Sequence, residues 1–150
     1  MIIDYNFLRM VDHLSLEKRS WNMSRIRSKN TKPELIVRKV LHNLGIRYRL
    51  HTSDLPGKPD WSNKKKKFAV FVNGCFWHQH KGCKRANIPK SNISYWLPKL
   101  NRNVERLDKS INDLKKMNWK VYTIWECETK DLKKLGSISD KLAIGINNED

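Results

Sequence analysis

Three cysteines and a nearby histidine constrain this chain more than any other feature. Cys75, His80 and Cys83 fall in the spacing Cys-x4-His-x2-Cys, and Cys127 follows far downstream. Cys3His is a standard tetrahedral zinc set, and an odd cysteine count argues against a disulfide framework. Cys75 comes just after the apolar run Phe68–Val72, and Cys127 follows the apolar segment Val121–Trp125. A fold that uses this set must bring the ends of two strands to one sheet edge. A zinc ion there would tie the loop 74–83 to the second strand end and contribute folding energy directly. The plainer reading is buried thiols acting as small hydrophobes. Gly74, Gly82 and the polar Gln79, Lys81 and Lys84 make that loop hard to bury otherwise. Spacing alone leaves open whether His80 or His78 completes the set.

The remaining pattern supplies the elements around that edge. Thr31-Lys32-Pro33-Glu34 reads as a helix start, with Thr31 as N-cap, a proline in the first turn and Glu34 completing a capping box. Val37, Val40, Leu41 and Leu44 form one helical face, and Gly45 ends it. Ile46–Leu50 alternates apolar and basic residues and predicts a half-exposed strand. Pro56-Gly57 and Pro59 mark a loop that delivers Asp60 and Trp61. Phe68–Val72 predicts a buried central strand, and Lys64–Lys67 before it a solvated hairpin tip. Ser94–Met117 predicts a long helix whose buried stripe is Leu97, Leu100, Val104, Leu107, Ile111 and Leu114. Lys99, Arg102, Arg106 and Lys109 then fall on the opposite face. A weak helix signal follows Ser139. The order predicts an α/β domain, a mixed sheet flanked by helices.

Charge narrows the partner. The 150 residues carry 31 Lys and Arg against 15 Asp and Glu, a net +16. Basic side chains cluster at 18–39 and at 81–109, the footprint of a polyanion such as nucleic acid. No apolar run approaches the ~20 residues of a membrane span, and no secretory leader is recognisable.

Few acids stand in these basic surroundings. Asp60 is a candidate ligand for Mg²⁺, which takes one or two carboxylates plus phosphate oxygens and water; the alternative is a turn cap. His78, if not a zinc ligand, is a candidate general base. Phe76, Trp77 and the Tyr95-Trp96 pair sit beside basic segments, where apolar side chains can wedge between bases. Trp119 and Trp125 read as core.

Five segments together resemble a known family. Residues 19–34, Leu55-Pro56-Gly57-Lys58-Pro59-Asp60, Asn73-Gly74-Cys75-Phe76-Trp77-His78, Asn103-Val104-Glu105-Arg106 and Ile124-Trp125-Glu126-Cys127 are similar, in order, to the very short patch repair (Vsr) endonucleases. The resemblance covers 18–128, leaving 1–17 as an N-terminal arm and 129–150 as a C-terminal tail or helix. It implies a restriction-endonuclease-like fold with a structural zinc. It implies nicking of one DNA strand 5′ of the mispaired thymine in a T:G mismatch left by 5-methylcytosine deamination. It further implies Mg²⁺ on Asp60 and on the backbone of Val72, a catalytic His78, and Glu34 as the acid of the first helix. Asn73 belongs to the same catalytic group. Cys75, His80, Cys83 and Cys127 match the zinc ligands, and Phe76, Trp77 and Trp96 the DNA wedge. Arg19, Arg25, Arg27 and Lys29 are the expected DNA-contacting cations. The sequence departs from the family in three ways. Asn73 and Val72 stand where histidine and threonine are common, Leu107 intervenes before Asp108, and His80 and Cys83 are one residue further apart.

The expected protein is thus a monomeric Mg²⁺-dependent endonuclease of the bacterial cytoplasm and nucleoid, with mismatch-repair proteins as candidate partners. Two alternatives remain at this level: a restriction-type endonuclease of the same fold cutting at a fixed site, and a zinc-stapled DNA-binding protein without catalysis.

Overall fold

The computed structural model describes residues 12–147. Its elements run α1 (Leu16–Ser24), α2 (Lys32–Asn43), β1 (Arg49–Leu50), β2 (Trp61–Asn63), β3 (Phe68–Asn73), α3 (Ile93–Lys116), β4 (Lys120–Trp125), a 3-10 turn (Glu128–Lys130) and α4 (Leu132–Asn147). One mixed sheet has the order β1-β2-β3-β4. The first two pairings are antiparallel, and β3–β4 is parallel. Among the described residues, no helix is long and apolar enough to cross a membrane. Most of the arm expected at 1–17 lies outside the described residues.

Side chains of β3 alternate between two cores, as strand geometry requires. Phe68 and Val70 join Val37 and Leu41 of α2 and Ile138, Leu142 and Ile146 of α4. Ala69 and Phe71 join Leu114 and Trp119 at the end of α3. The sheet is therefore covered on both faces, which a parallel pair needs.

Local chemistry sets the helix ends. The Thr31 hydroxyl accepts from the Glu34 N–H and donates to its carboxylate, so the capping pair forms as expected. Gly45, at φ 67°, closes α2 in a Schellman motif: the Ile46 N–H reaches the Leu41 carbonyl, and the Gly45 N–H that of His42. Asn118, at φ 62°, ends α3 by the same two bonds, to Leu114 and Lys115.

The structure corrects the sequence reading in three places. The strand expected over Ile46–Leu50 is only Arg49–Leu50, because the cap consumes the Ile46 N–H and its side chain is buried against α2. At the start of α3, Trp96 is buried and Leu97 is 38% exposed, against the leucine spacing, whereas farther along the expected stripe holds: Leu100 and Leu114 are buried, and Leu107 and Ile111 pack against the core. The last helix begins well before Ser139, because the Asp131 carboxylate accepts the N–H groups of Lys133 and Lys134 and starts it at Leu132. Gly145 of α4 is required, since a Cβ there would meet the Tyr122 hydroxyl at 2.1 Å.

The exposure of Leu97 within an otherwise buried stripe of α3 is directly testable. Leu114→Ala is expected to cost about 2–5 kcal/mol in urea unfolding. Leu97→Ala should stay within about 0.5 kcal/mol of the parent. Equal losses at both positions would contradict the observed face.

Candidate active site and metal centre

Parallel pairing of β3 with β4 places Asn73 beside Trp125, and the Glu126 N–H donates to the Asn73 carbonyl at 2.9 Å. Two residues beyond each strand stand Cys75 and Cys127. With His80 and Cys83 they bring four donor atoms within 4.8 Å of one another. His80 Nδ1 lies 3.7 Å from the Cys75 sulfur and 3.4 Å from the Cys127 sulfur. Ligands of a tetrahedral zinc, with bonds of ~2.0–2.3 Å, stand ~3.3–3.8 Å apart, so the donor set fits zinc in type and spacing. His80 stacks on Trp125 with centroids 4.1 Å apart, which fixes its ring. Trp125 is thus half-buried at the metal centre, while Trp119 is core as expected. His78 lies outside the donor cluster. Burial pushes the Cys75 thiol up to about 12, with Cys127 and Cys83 adding to the shift. A divalent cation would displace that proton, so binding releases acid.

On the other side of the loop, a cleft of about 1100 Å³ opens between the α1–α2 segment and α3. Glu34, Asp60, Asn73 and His78 all line it. Asp60 Oδ2 accepts the Val72 N–H at 2.8 Å. Burial, with Glu34 nearby, raises its carboxyl to about 6 against the pull of that bond. Glu34 is itself buried, and its oxygens accept from the Asn30 N–H at 2.8 Å and the Thr31 hydroxyl at 3.0 Å. Burial pushes His78 below the usual imidazole range, and contact with the Asn103 backbone opposes the shift. Asn73 Nδ2 and His78 Nδ1 are buried without hydrogen-bond partners. Leu107 lines the cleft, whereas Asp108 is exposed and does not.

Phe76, Trp77 and Trp96 meet at the cleft's edge. Phe76 packs edge-on against Trp77 at 5.0 Å and against Trp96 at 5.6 Å. Trp96 is buried rather than free, and its indole N–H donates to Asp12 Oδ2 at 3.0 Å. The same oxygen takes the Arg19 Nε at 2.7 Å. Arg19 is therefore buried, paired with Asp12 and set over the Tyr95 ring, and does not stand on the DNA face expected for it. Arg25 is exposed and stacks on Trp21, Arg27 lines the cleft, and Lys29 is exposed nearby.

Sequence reasoning missed two features. Lys99, Arg106 and Lys109 line the cleft beside Asn103; the basic spacing was visible, but the cleft that α3 borders was not. Asp12 joins the N-terminal segment to the start of α3, since its carbonyl also accepts Asn92 Nδ2 at 2.8 Å and its N–H meets Ser91 Oγ. No sequence pattern marks a contact across so many residues. Burial raises the Asp12 carboxyl, but its bonds from Arg19 and Trp96 outweigh this and hold it below the usual range.

Cations on the walls and acids on the floor suit a cleft that hydrolyses a phosphodiester chain. The likeness to known proteins is specific. A family model described as DNA mismatch endonuclease Vsr matches residues 11–85. A type II nicking enzyme of Xanthomonas oryzae, V.XorIIP, is 45% identical over 126 residues, 84% of this chain and 92% of that protein. A second, V.NmeAIP of Neisseria meningitidis, is 46% identical over 81% of this chain and 86% of its own. The DNA mismatch endonuclease Vsr of Escherichia coli is 33% identical over 84% and 80%. The chain belongs to the Vsr DNA mismatch endonuclease family. It is accordingly a DNA-nicking endonuclease, and the reading of a non-catalytic DNA-binding protein gives way.

Two outcomes are expected. Purified protein should carry one zinc per chain, and Cys127→Ser should lower both zinc content and melting temperature; metal analysis and calorimetry decide. Asp12→Ala leaves the Arg19 and Trp96 donors unpaired and should cost on the order of 1–3 kcal/mol in chemical unfolding.

Proposed function

We propose that this enzyme nicks one strand of duplex DNA, as the names of its type II relatives say of them, and that it does so at a defined sequence with Asp60 and His78 at the reacting centre. One observation carries the reading: a desolvated carboxylate and a neutral imidazole share a cleft walled by Arg27, Lys99, Arg106 and Lys109. The basic walls hold the backbone phosphates, and Asn103 sits among them. His78, uncharged at neutral pH, accepts the proton of the attacking water at Nδ1, its nitrogen without a partner. Asn73 Nδ2, also without a partner, donates to a phosphoryl oxygen.

The family implies Mg²⁺, and the residues fit it. Asp60 offers a hard oxygen donor whose charge is costly where it stands, with Glu34 adding a second carboxylate near it. Asp60 and the main chain of Val72 would hold the ion. When bound, it neutralises charge on the phosphoryl oxygens and the leaving oxygen. Glu34 keeps the 30–31 turn in place through its two accepted bonds.

A second reading is that the nick requires a T:G mismatch at that sequence. Phe76 and Trp77, half-buried at the cleft's edge and backed by the buried Trp96, favour it. Aromatic side chains inserted at a base step pay an unstacking cost, which is least at a mispair. The relatives of higher identity are called nicking enzymes, while the mismatch endonuclease of Escherichia coli stands at 33%. Sequence-directed nicking is therefore placed first and the mismatch requirement second.

One assay separates them. Duplexes differing only in one T:G or T:A pair, across several flanking contexts, are incubated with enzyme and Mg²⁺. Nicking of one strand in one context, whichever pair is present, supports the first reading. Nicking confined to the T strand of T:G duplexes supports the second. Asp60→Ala should remove at least 10³-fold of the rate while duplex binding stays within about threefold; a variant that kept full rate would overturn the assignment.

A further inference from the structure

Lys58 lines the cleft, yet its backbone stands where a lysine is disfavoured twice over. Its φ is 48°, in the left-handed region that suits glycine. It also precedes Pro59, and a residue before proline is driven toward extended backbone. Asparagine or glycine fills most of the left-handed positions among the described residues. Of the others, His51, Lys67 and Gln79 neither precede a proline nor line the cleft. Such strain persists only where the surroundings impose it, and here they do. Leu55 and Pro59 are buried on either side. Between them Gly57, at φ 73°, lies so close to α3 that a Cβ would meet the Ser110 Cβ at 2.5 Å. The Lys58 N–H closes the turn on the Leu55 carbonyl at 3.0 Å. Glycine at 58 would meet the same geometry without strain, so the fold itself has no need of a lysine there. The use of this side chain lies in the cleft.

Its place in the chain says what it does there. Arg27 and Lys32 reach the cleft from the α1–α2 segment, and Lys99, Arg106 and Lys109 reach it from α3. Lys58 comes from the clamped loop that also delivers Asp60, two residues on. Two residues of chain span at most ~7 Å, and successive phosphates of one strand rise ~3.4 Å along the duplex axis. A cation fixed on that loop keeps its distance from Asp60 however the helical walls adjust. We propose that Lys58 grips the phosphate next to the one that Asp60 serves, on the strand that is cut, and so sets the register of that strand against the reacting centre. The proposal rests on the reading that this cleft takes duplex DNA. A contact to the backbone alone carries no base preference, so Lys58 acts on position and rate. The strained turn is what aims it: with both flanking residues buried, the left-handed backbone at 58 leaves this one side chain exposed at the cleft.

Lys58→Gly removes the cation and suits the backbone, so this variant should melt no lower than the parent. In an Asp60→Ala background, which leaves DNA uncut, affinity for a short duplex is measured across a salt series. Loss of one phosphate contact should lower the slope of log affinity against log salt by about 0.9, and Lys58→Arg should keep the slope. In an otherwise native chain, Lys58→Gly should slow nicking by about tenfold or more, and Lys58→Arg should restore most of the rate. Single neutral methylphosphonates, stepped along the cut strand, then locate the contact. The parent should lose rate when the phosphate beside the nick is neutral, and Lys58→Gly should lose nothing further there. An unchanged salt slope, nicking within about twofold of the parent, a lower melting temperature or an undiminished methylphosphonate effect in Lys58→Gly each overturns the proposal. A parent that nicks no duplex counts against the proposed function alone, because the salt slope is read without cleavage.

Discussion

The parallel pairing of β3 with β4 is the constraint on which the rest of the molecule depends. A parallel pair needs a long crossover, and α3 supplies it. That one helix then covers one face of the sheet and forms a wall of the cleft that holds Asp60 and His78. The register Asn73 to Trp125 brings both strand ends level, so Cys75 and Cys127 meet and the loop between Cys75 and Cys83 folds back onto them. A slip of one residue would turn each β3 side chain to the other face. It would exchange the two cores, separate the sulfurs and carry the Val72 N–H away from Asp60. The Cys3His cluster and the placement of Asp60 beside Val72 are consequences of the same register. A zinc at the strand ends braces that register where the sheet has no further hydrogen bonds to offer.

Charge of both signs meets at this frame. The chain is strongly cationic, yet the cleft floor holds the buried Glu34 carboxylate and the half-buried Asp60. Asp60 is raised toward neutrality by burial first and by Glu34 second. That cost makes the floor receptive to a cation. The walls meanwhile attract the polyanion that carries the phosphate to it.

Much of this was legible in the residues. Thr31 with Glu34, Gly45 as helix stop, Phe68–Val72 as the central strand and the Cys3His set are local signals, and each states its own physical requirement. What escaped the sequence is tertiary. Leucine spacing put Leu97 inward, but Trp96 won the interior because Phe76, Tyr95 and Asp12 surround it. Arg19 looked like one more DNA-facing cation, and only the fold sets it against Asp12. The Lys64–Lys67 run has the same composition whether it waves in solvent or lines a cavity; the end of α4 decides. Among the site candidates, spacing could not choose between His78 and His80. The loop geometry separates them, sending His80 to the sulfurs and His78 to the cleft.

The two unsatisfied groups of the cleft show how the fold accommodates a reaction. Buried polar atoms without partners cost about 1–3 kcal/mol each, and here they are Asn73 Nδ2 and His78 Nδ1, five residues apart and both lining the cleft. Nothing in the immediate surroundings relieves them: Leu107 offers no acceptor, and Asp108 points to solvent. The segment is held regardless, because it is fixed on both sides by other forces, the β3–β4 ladder before Gly74 and the Cys3His cluster that takes in Cys75 and His80. A phosphodiester and its attacking water can give both atoms the partners that the protein withholds. The rigid brace thus lets the free enzyme carry an unfavourable site, and part of the substrate's binding energy goes into satisfying it.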